Sequence, residues 1–356
     1  MRIVKPLPLT LRAGPAARAH IRERGVRADD VDILAGASGG AKWLALAGID
    51  RWLFPWLMAT ARPRPLHGIG SSIGSWRLAC LAQRDPLAAL ARGHEAYIEH
   101  QRYSAKPDVR EVTDVLSRAL DHLLGPTGAV DVATHPDLRV HVITAEARGL
   151  LASSRRPVLA GALALAAAGN ALSRRTLGWQ LRRTIFHTAG ETSPFRPLRD
   201  LPTVHRPLTA SNARDVLLAS GSIPLLLEGV RIPEAPGVHW DGGVTDYHID
   251  LDFGQRDGLV LFPHFFEYVI PGWFDKAWPW RRGRRYHDRT LLIAPSRAFV
   301  SSLPGGKIPD RRDFYTLNDG ERIRRWTEAA AASEQLGETL HELIETGRIA
   351  DAIQPW

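Results

Sequence analysis

The chain has 356 residues, 44% hydrophobic and 24% charged, with a formal net charge of +8 and one cysteine, Cys80. That composition excludes collagen-like, low-complexity and wholly disordered chains. A lone cysteine excludes an intrachain disulfide framework and a cysteine-built metal site.

Met1 to Gly14 carries no apolar run of signal-peptide length, so a reducing, cytoplasmic setting is expected. Val31–Ala35 is a short apolar run meeting the small-residue turn Gly36-Ala-Ser-Gly-Gly40, and a helix-favouring stretch from Ala41 to about Trp52 should end before Pro55. Leu66–Gly70 repeats the pattern, with the turn Ser71-Ser-Ile-Gly74 and a helix from Ser75. Two strand–turn–helix units in succession predict a parallel sheet covered by helices.

Asp108 to Leu124 is a clear amphipathic helix, capped by Asp108 with Glu111 three residues on and stopped by Gly125-Pro126. Leu138–Ile143 alternates as a strand. Val158 to Leu172 is uncharged and Ala/Leu-rich. Its fifteen residues would span roughly 22 Å as a helix, short of a bilayer core of about 30 Å, so a buried or capping helix is expected. A further helix should start near Asn212 and stop at Gly221; from Asp319 onward the chain reads as helical, with Gly337 and Gly347 as interruptions. No repeat or low-complexity linker divides the chain, so one domain over 1–356 is expected, with its motifs between about 31 and 250 and a Trp/Arg-rich and helical part from about 255.

Three segments carry candidate chemistry. Gly70-Ser-Ser-Ile-Gly74 is a GxSxG pattern between a strand and a helix, where a serine hydroxyl can be raised on a sharp turn and small residues two positions either side relieve crowding. Gly36-Ala-Ser-Gly-Gly40 has the same form, so Ser38 is a rival to Ser72; its continuation, Gly39-Gly40-Ala41-Lys42, could instead offer backbone amides and a cation to an oxyanion or phosphate. Asp241-Gly242-Gly243 can set a carboxylate on a turn facing a cleft, as base for the serine, with Asp246, Asp250 and Asp252 as close competitors.

Taken together, the oxyanion-type loop Ser38–Trp43, the Gly70–Gly74 elbow, the small-residue segment Ala219-Ser-Gly-Ser-Ile-Pro224 and Asp241-Gly242-Gly243 resemble, in order, the motifs of the patatin-like phospholipases. The resemblance implies a three-layer α/β/α fold with a mostly parallel central sheet. It also implies a Ser72–Asp241 dyad without a catalytic histidine, an oxyanion hole at Gly39, Gly40 and Ala41, and supporting roles for Lys42, Gly70, Gly74, Gly242 and Gly243. Ser38 is then loop structure. Two positions depart from the family pattern: Ser38 stands for the first glycine of the loop, and Trp43, for its last, sets a bulky ring beside the cation.

Other groups point elsewhere. His67, beside the elbow, could pair with Ser72. His94 and His100, with Glu95 and Glu99, have no recognised metal-ligand spacing and read as a solvated helix face. Trp273, Trp278, Trp280, Arg281, Arg282, Arg284 and Arg285 suit contact with an anionic membrane surface, where Trp sits at the headgroups and Arg meets lipid phosphate.

The expectation is therefore a serine acyl hydrolase cleaving lipid carboxylic esters (phospholipid, lysophospholipid or acylglycerol), cytoplasmic with peripheral membrane contact, needing no cofactor or metal and binding no nucleic acid. The alternatives are a lipid-binding module on the same fold without catalysis, an acyltransferase using the same dyad, or, last, a nucleotide-binding protein lacking any Walker or GxGxxG pattern.

Overall fold

The computed structural model describes residues 6–59, 62–254 and 257–356. Its strands are β1 (Leu9–Ala13), β2 (Val31–Gly36), β3 (Leu66–Ser71), β4 (Leu138–Ala147), β5 (Leu181–His187), β6 (Thr203–Pro207), β7 (His239–Asp241), β8 (Leu259–Pro263), β9 (Thr290–Pro295) and β10 (Ile353–Pro355). They form one sheet in the order β10-β1-β9-β8-β2-β3-β4-β5-β6, with β7 paired to the end of β4.

The central strands β2 and β3 are buried at every position, which is why they read as continuous runs rather than alternating ones. They lie parallel, Gly36 opposite Gly70, and β3 continues the parallel run into β4. The neighbours β8 and β9 are parallel too, whereas β4–β5, β4–β7 and β1–β9 are antiparallel. This is the expected mixed α/β architecture, a mostly parallel sheet flanked by helices. The carboxyl ends of β2 and β3 open toward the loops that carry the glycine motifs, the usual place for a ligand crevice.

The helix after β3, Ile73–Leu81, is buried along its length. Leu78 packs over Gly68, where an added Cβ would lie 2.9 Å from a Leu78 methyl. Arg77 of this helix makes a bidentate pair with Asp50, at 2.8 and 2.5 Å, in the core. Val109–Leu124 forms as expected, with Asp108 Oδ1 accepting the Glu111 amide at 2.7 Å.

Several expected boundaries move. The stretch after β2 is a 3-10 helix, Gly40–Leu46, followed by an α-helix, Ala47–Met58, that runs through Pro55 instead of stopping before it. Packing outweighs the hydrogen bond that Pro55 removes, since Leu53, Phe54 and Leu57 are all buried on this helix. Gly337 does not interrupt its helix, Glu334–Glu345. It is the point where that helix crosses Ala47–Met58: a Cβ there would fall 2.2 Å from the Gly48 carbonyl oxygen. The chain from Asp319 is not helical throughout either, because Ile353–Pro355 pairs parallel to β1 and completes the sheet edge.

The uncharged stretch becomes the helix Arg156–Leu172. Leu159, Ala162, Leu163 and Ala166 bury against Leu181, Val238 and Trp240, or beside Leu177 and Leu201, while its other face stays open. It caps one flank of the sheet and is not itself enclosed. Among the described residues, no helix is long and apolar enough to cross a membrane.

Candidate active site

The turn at Ser72 follows from the chain's need to leave β3 and enter a helix without room for side chains. A Cβ on Gly70 would sit 2.7 Å from the carbonyl carbon of Gly74, and one on Gly74 would sit 2.0 Å from the carbonyl oxygen of Gly36. Only glycine permits this approach, and it welds the elbow to the end of β2. Ser72 itself is held at φ 53°, ψ −131°, a backbone conformation costly for any residue with a Cβ.

The surroundings fix that conformation. The Ser72 N–H donates to Ser220 Oγ at 2.9 Å, Ser220 Oγ donates to the Ile143 carbonyl at 2.7 Å, and Ser75 Oγ donates to the Ser72 carbonyl at 2.6 Å. The segment Ala219–Pro224 also reaches the acid, since the Asp241 N–H donates to the Ser222 carbonyl at 2.8 Å. One short stretch thus anchors the backbones of both Ser72 and Asp241.

Asp241 ends β7 and lines the same cavity wall as Ser72. Its Oδ1 accepts the Gly243 amide at 2.6 Å. Burial pushes its carboxyl up to about 6, against the opposite pull of the nearby Ser72 hydroxyl, the Gly243 hydrogen bond, and Lys276 and Arg311. The two glycines after it are sterically required: a Cβ on Gly242 would meet the Ile143 carbonyl oxygen at 2.1 Å, and one on Gly243 would meet Ser38 Oγ at 2.5 Å.

The rival groups have other partners. Ser38 Oγ shares a 2.8 Å hydrogen bond with Ser71 Oγ, which donates to the Asp246 carbonyl at 2.6 Å, so that hydroxyl ties the loop to the sheet. Asp246 is locked by Arg183 through two 2.7 Å bonds. Asp250 pairs with His287 at 3.0 Å, and Asp252 accepts the Gly254 amide in a turn. His67 lies five residues before Ser72 on β3, roughly 16 Å away at the rise of a strand, and its ring packs on His141 at 5.4 Å. It is not beside the serine.

His94 is not on a solvated face. It is buried 4.7 Å from the Trp43 ring, and burial lowers its pKa to about 3. His100 and His122 gather around Glu95 at the surface. Among the described residues, no group of three or more His, Cys, Asp or Glu side chains is placed to hold a metal ion. The Trp43 ring does not stand in the loop's mouth beside Lys42; it is fully buried between His94 and Tyr97.

Gly40 adopts φ 56° and opens the 3-10 helix that follows. A Cβ on Gly39 would strike the Phe265 ring at 2.4 Å. The first amides of a helix have no partner within it, and this end of the loop lines two adjoining cavities that share Gly40, Ser72, Ile223 and Arg311. One cavity, about 370 Å³, is walled by apolar side chains such as Trp76, Val109, Val112, Leu116 and Leu226. The other, about 420 Å³, contains Lys42, Asp241, Tyr247, Lys276, Asp310 and Arg312. Ser72 stands where they meet.

Lys276 and Arg311 are site residues that sequence reasoning did not single out. Lys276 Nζ lies 3.9 Å from the centre of the Tyr247 ring. Its side chain keeps contact with solvent at the mouth. Partial desolvation, then the neighbouring cations Lys42 and Arg311, lower its pKa to about 7 against the pull of Asp241. Neither residue sits in a motif, and a single lysine among aromatic and arginine residues gave no signal of its destination. Of the segment expected to meet a membrane, Trp280, Arg284 and Arg285 face solvent, while Trp273 and Trp278 are half-buried. Arg281 donates to Asp275 and to the carbonyls of Asn170 and Ala171, and Arg282 lies over Tyr268.

Neither a protein-family model nor a curated protein matches the chain. Among solved structures it is similar to human GIVD cytosolic phospholipase A2, at 10% identity and a TM-score of 0.40, over 98% of this chain and 66% of that one. It is also similar to a chain of the heterodimeric ExoU–SpcU complex from the type III secretion system of Pseudomonas aeruginosa, at 14% identity and a TM-score of 0.32, over 95% of this chain and 54% of that one. The chain therefore spans less than two thirds of the length of either structure.

Proposed function

We propose that this chain is a serine acyl hydrolase acting on lipid carboxylic esters, with Ser72 as nucleophile and Asp241 as its base. The observation that carries this reading is the placement of Ser72, on its glycine-framed elbow, and the buried Asp241 carboxylate in one cavity wall, at the meeting point of an apolar and a cationic cavity. A carboxylate raised to about 6 by burial is a better proton acceptor than one in water and still ionised at neutral pH.

In this mechanism Asp241 takes the Ser72 proton as the hydroxyl attacks the ester carbonyl. The amides of Gly39, Gly40 and Ala41 hold the tetrahedral oxyanion, and Lys42 adds positive potential from the same wall. Asp241 then returns the proton to the departing alcohol, and a water activated by the same carboxylate releases the acyl group from Ser72. The acyl chain lies in the apolar cavity, and the alcohol portion, with its headgroup, in the cationic one. Transfer of the acyl group to another alcohol would use the same intermediate. The whole chain, 1–356, forms one catalytic unit in this reading, because β1, β8, β9 and β10 complete the sheet that carries the elbow.

The second reading, a lipid-binding module without catalysis, is favoured by the altered oxyanion loop and by the Trp/Arg segment around Trp273–Arg285, and opposed by the intact Ser72 and Asp241. With the Trp43 ring stowed in the core, that loop keeps an open mouth. The test is turnover of a lysophospholipid or monoacylglycerol by the native protein and by Ser72→Ala and Asp241→Asn. Loss of about three orders of magnitude or more in both variants is expected; full activity in either would end the assignment of that residue.

A further inference from the structure

The helix Arg156–Leu172 presents a solvent face of Ala160, Gly161, Ala164, Leu165, Ala168 and Leu172, with no polar side chain among them. Leu165 is 61% exposed and Leu172 87%. A surface helix in water ordinarily carries polar groups outward, and one that is apolar all round ordinarily lies inside a larger apolar environment. Here the underside is already buried against the protein, so the outer face lacks a partner.

Further exposed apolar groups belong to elements next to this helix. Leu150 lies on the short turn Gly149–Ala152 beside its start. Trp179 follows its end after one 3-10 turn. Trp280 precedes Arg281, whose guanidinium binds the last carbonyls of the helix. Between Glu146 and Glu191 the chain has no acidic residue. Arg148, Arg155, Arg156 and Arg175 are exposed there and form no ion pair among the described residues. Apolar bulk with tryptophans and uncompensated arginines at its borders is the chemistry of a helix lying in the headgroup layer of an anionic bilayer.

We infer that this face docks the protein onto an anionic lipid surface, with the helix parallel to the membrane plane. Docking there sets the site at the interface. Arg156, at the start of the helix, lines the apolar cavity, and Trp273, which packs under the same helical cap, lines the cationic one. A substrate lipid would then reach Ser72 from the bilayer without crossing water. The docking itself does not depend on catalysis.

The experiment uses the full chain carrying Ser72→Ala, so that binding is read without turnover. It is co-sedimented with vesicles of phosphatidylcholine alone and of phosphatidylcholine with phosphatidylglycerol. Binding is expected to the anionic vesicles, weaker at high salt, and about tenfold or more weaker when Leu165→Glu and Leu172→Glu are added. Both leucines are exposed, so the variant should keep its circular dichroism and, with Ser72 restored, its activity on a water-soluble ester. Equal vesicle binding by the leucine variant, or no binding by the parent, would overturn the inference. So would a dimer in light scattering that the same two substitutions dissolve, since a second copy would then be the occupant.

Discussion

The backbone N–H of Ser72 donates to Ser220 Oγ, and that hydroxyl donates onward to the Ile143 carbonyl, so one buried side chain ties the elbow to β4. Removing the hydroxyl leaves a buried donor and a buried acceptor without this partner. Ser220→Ala should lower stability by about 1–3 kcal/mol. Because the clamp positions the proposed nucleophile and is itself no part of the proposed substrate contacts, kcat should fall while KM changes little; denaturant unfolding and steady-state kinetics on one ester check both.

Strain at Ser72 makes a second prediction. Alanine and glycine both delete the hydroxyl, but only glycine accepts φ 53° without steric penalty. Ser72→Gly should therefore be more stable than Ser72→Ala by about 1 kcal/mol, both being inactive. Denaturation midpoints decide it, and equal values would mean that the elbow relaxes around the alanine.

The pH dependence follows from Asp241. In the proposed mechanism Asp241 acts in its ionised form, so kcat/KM should fall below about pH 6 with the titration of a single group. The folded pKa lies above the unfolded value near 3.8, so the buried neutral acid favours the fold at low pH. That contribution is lost as pH rises through about 6. Asp241→Asn should accordingly stabilise the protein at pH 8 by up to about 3 kcal/mol, and the gain should vanish toward pH 4. Thermal unfolding of both proteins across this range tests the sign as well as the size.

The cationic cavity predicts selectivity. Lys276→Met removes a charge near Asp241 and Tyr247 without touching the elbow. The kcat/KM for an ester with an anionic headgroup should drop about tenfold, while that for a neutral ester of the same chain stays within about twofold. Equal losses on both would instead assign Lys276 to the chemistry.

What the sequence disclosed was where side chains have no room. Gly70 is forced by Gly74 within its own turn, whereas Gly74, Gly242 and Gly243 are forced by Gly36, Ile143 and Ser38 from other parts of the chain, yet the pattern survives as a string. The helix beginning at Val109 announced itself through Asp108, whose cap operates within one turn. Lys276 and Arg311 left no trace, because only the tertiary path after β8 brings them to Ser72. Pro55 and Gly337 misled for the same reason: tertiary packing, of Leu53, Phe54 and Leu57 around Pro55 and at the Gly48 crossing for Gly337, outweighs the propensity that each residue carries alone. The residues alone left the two serines as rivals and the resemblance ordered them; in the structure Ser38 is tied to Ser71, while Ser72 faces the cavity that Asp241 lines.

The most direct measurement is fluorophosphonate labelling of native and heat-denatured protein, with peptide mapping of the adduct. The account predicts one stoichiometric adduct on Ser72, in the native protein only and lost in Asp241→Asn. An adduct on Ser38, or none from folded protein, would contradict it.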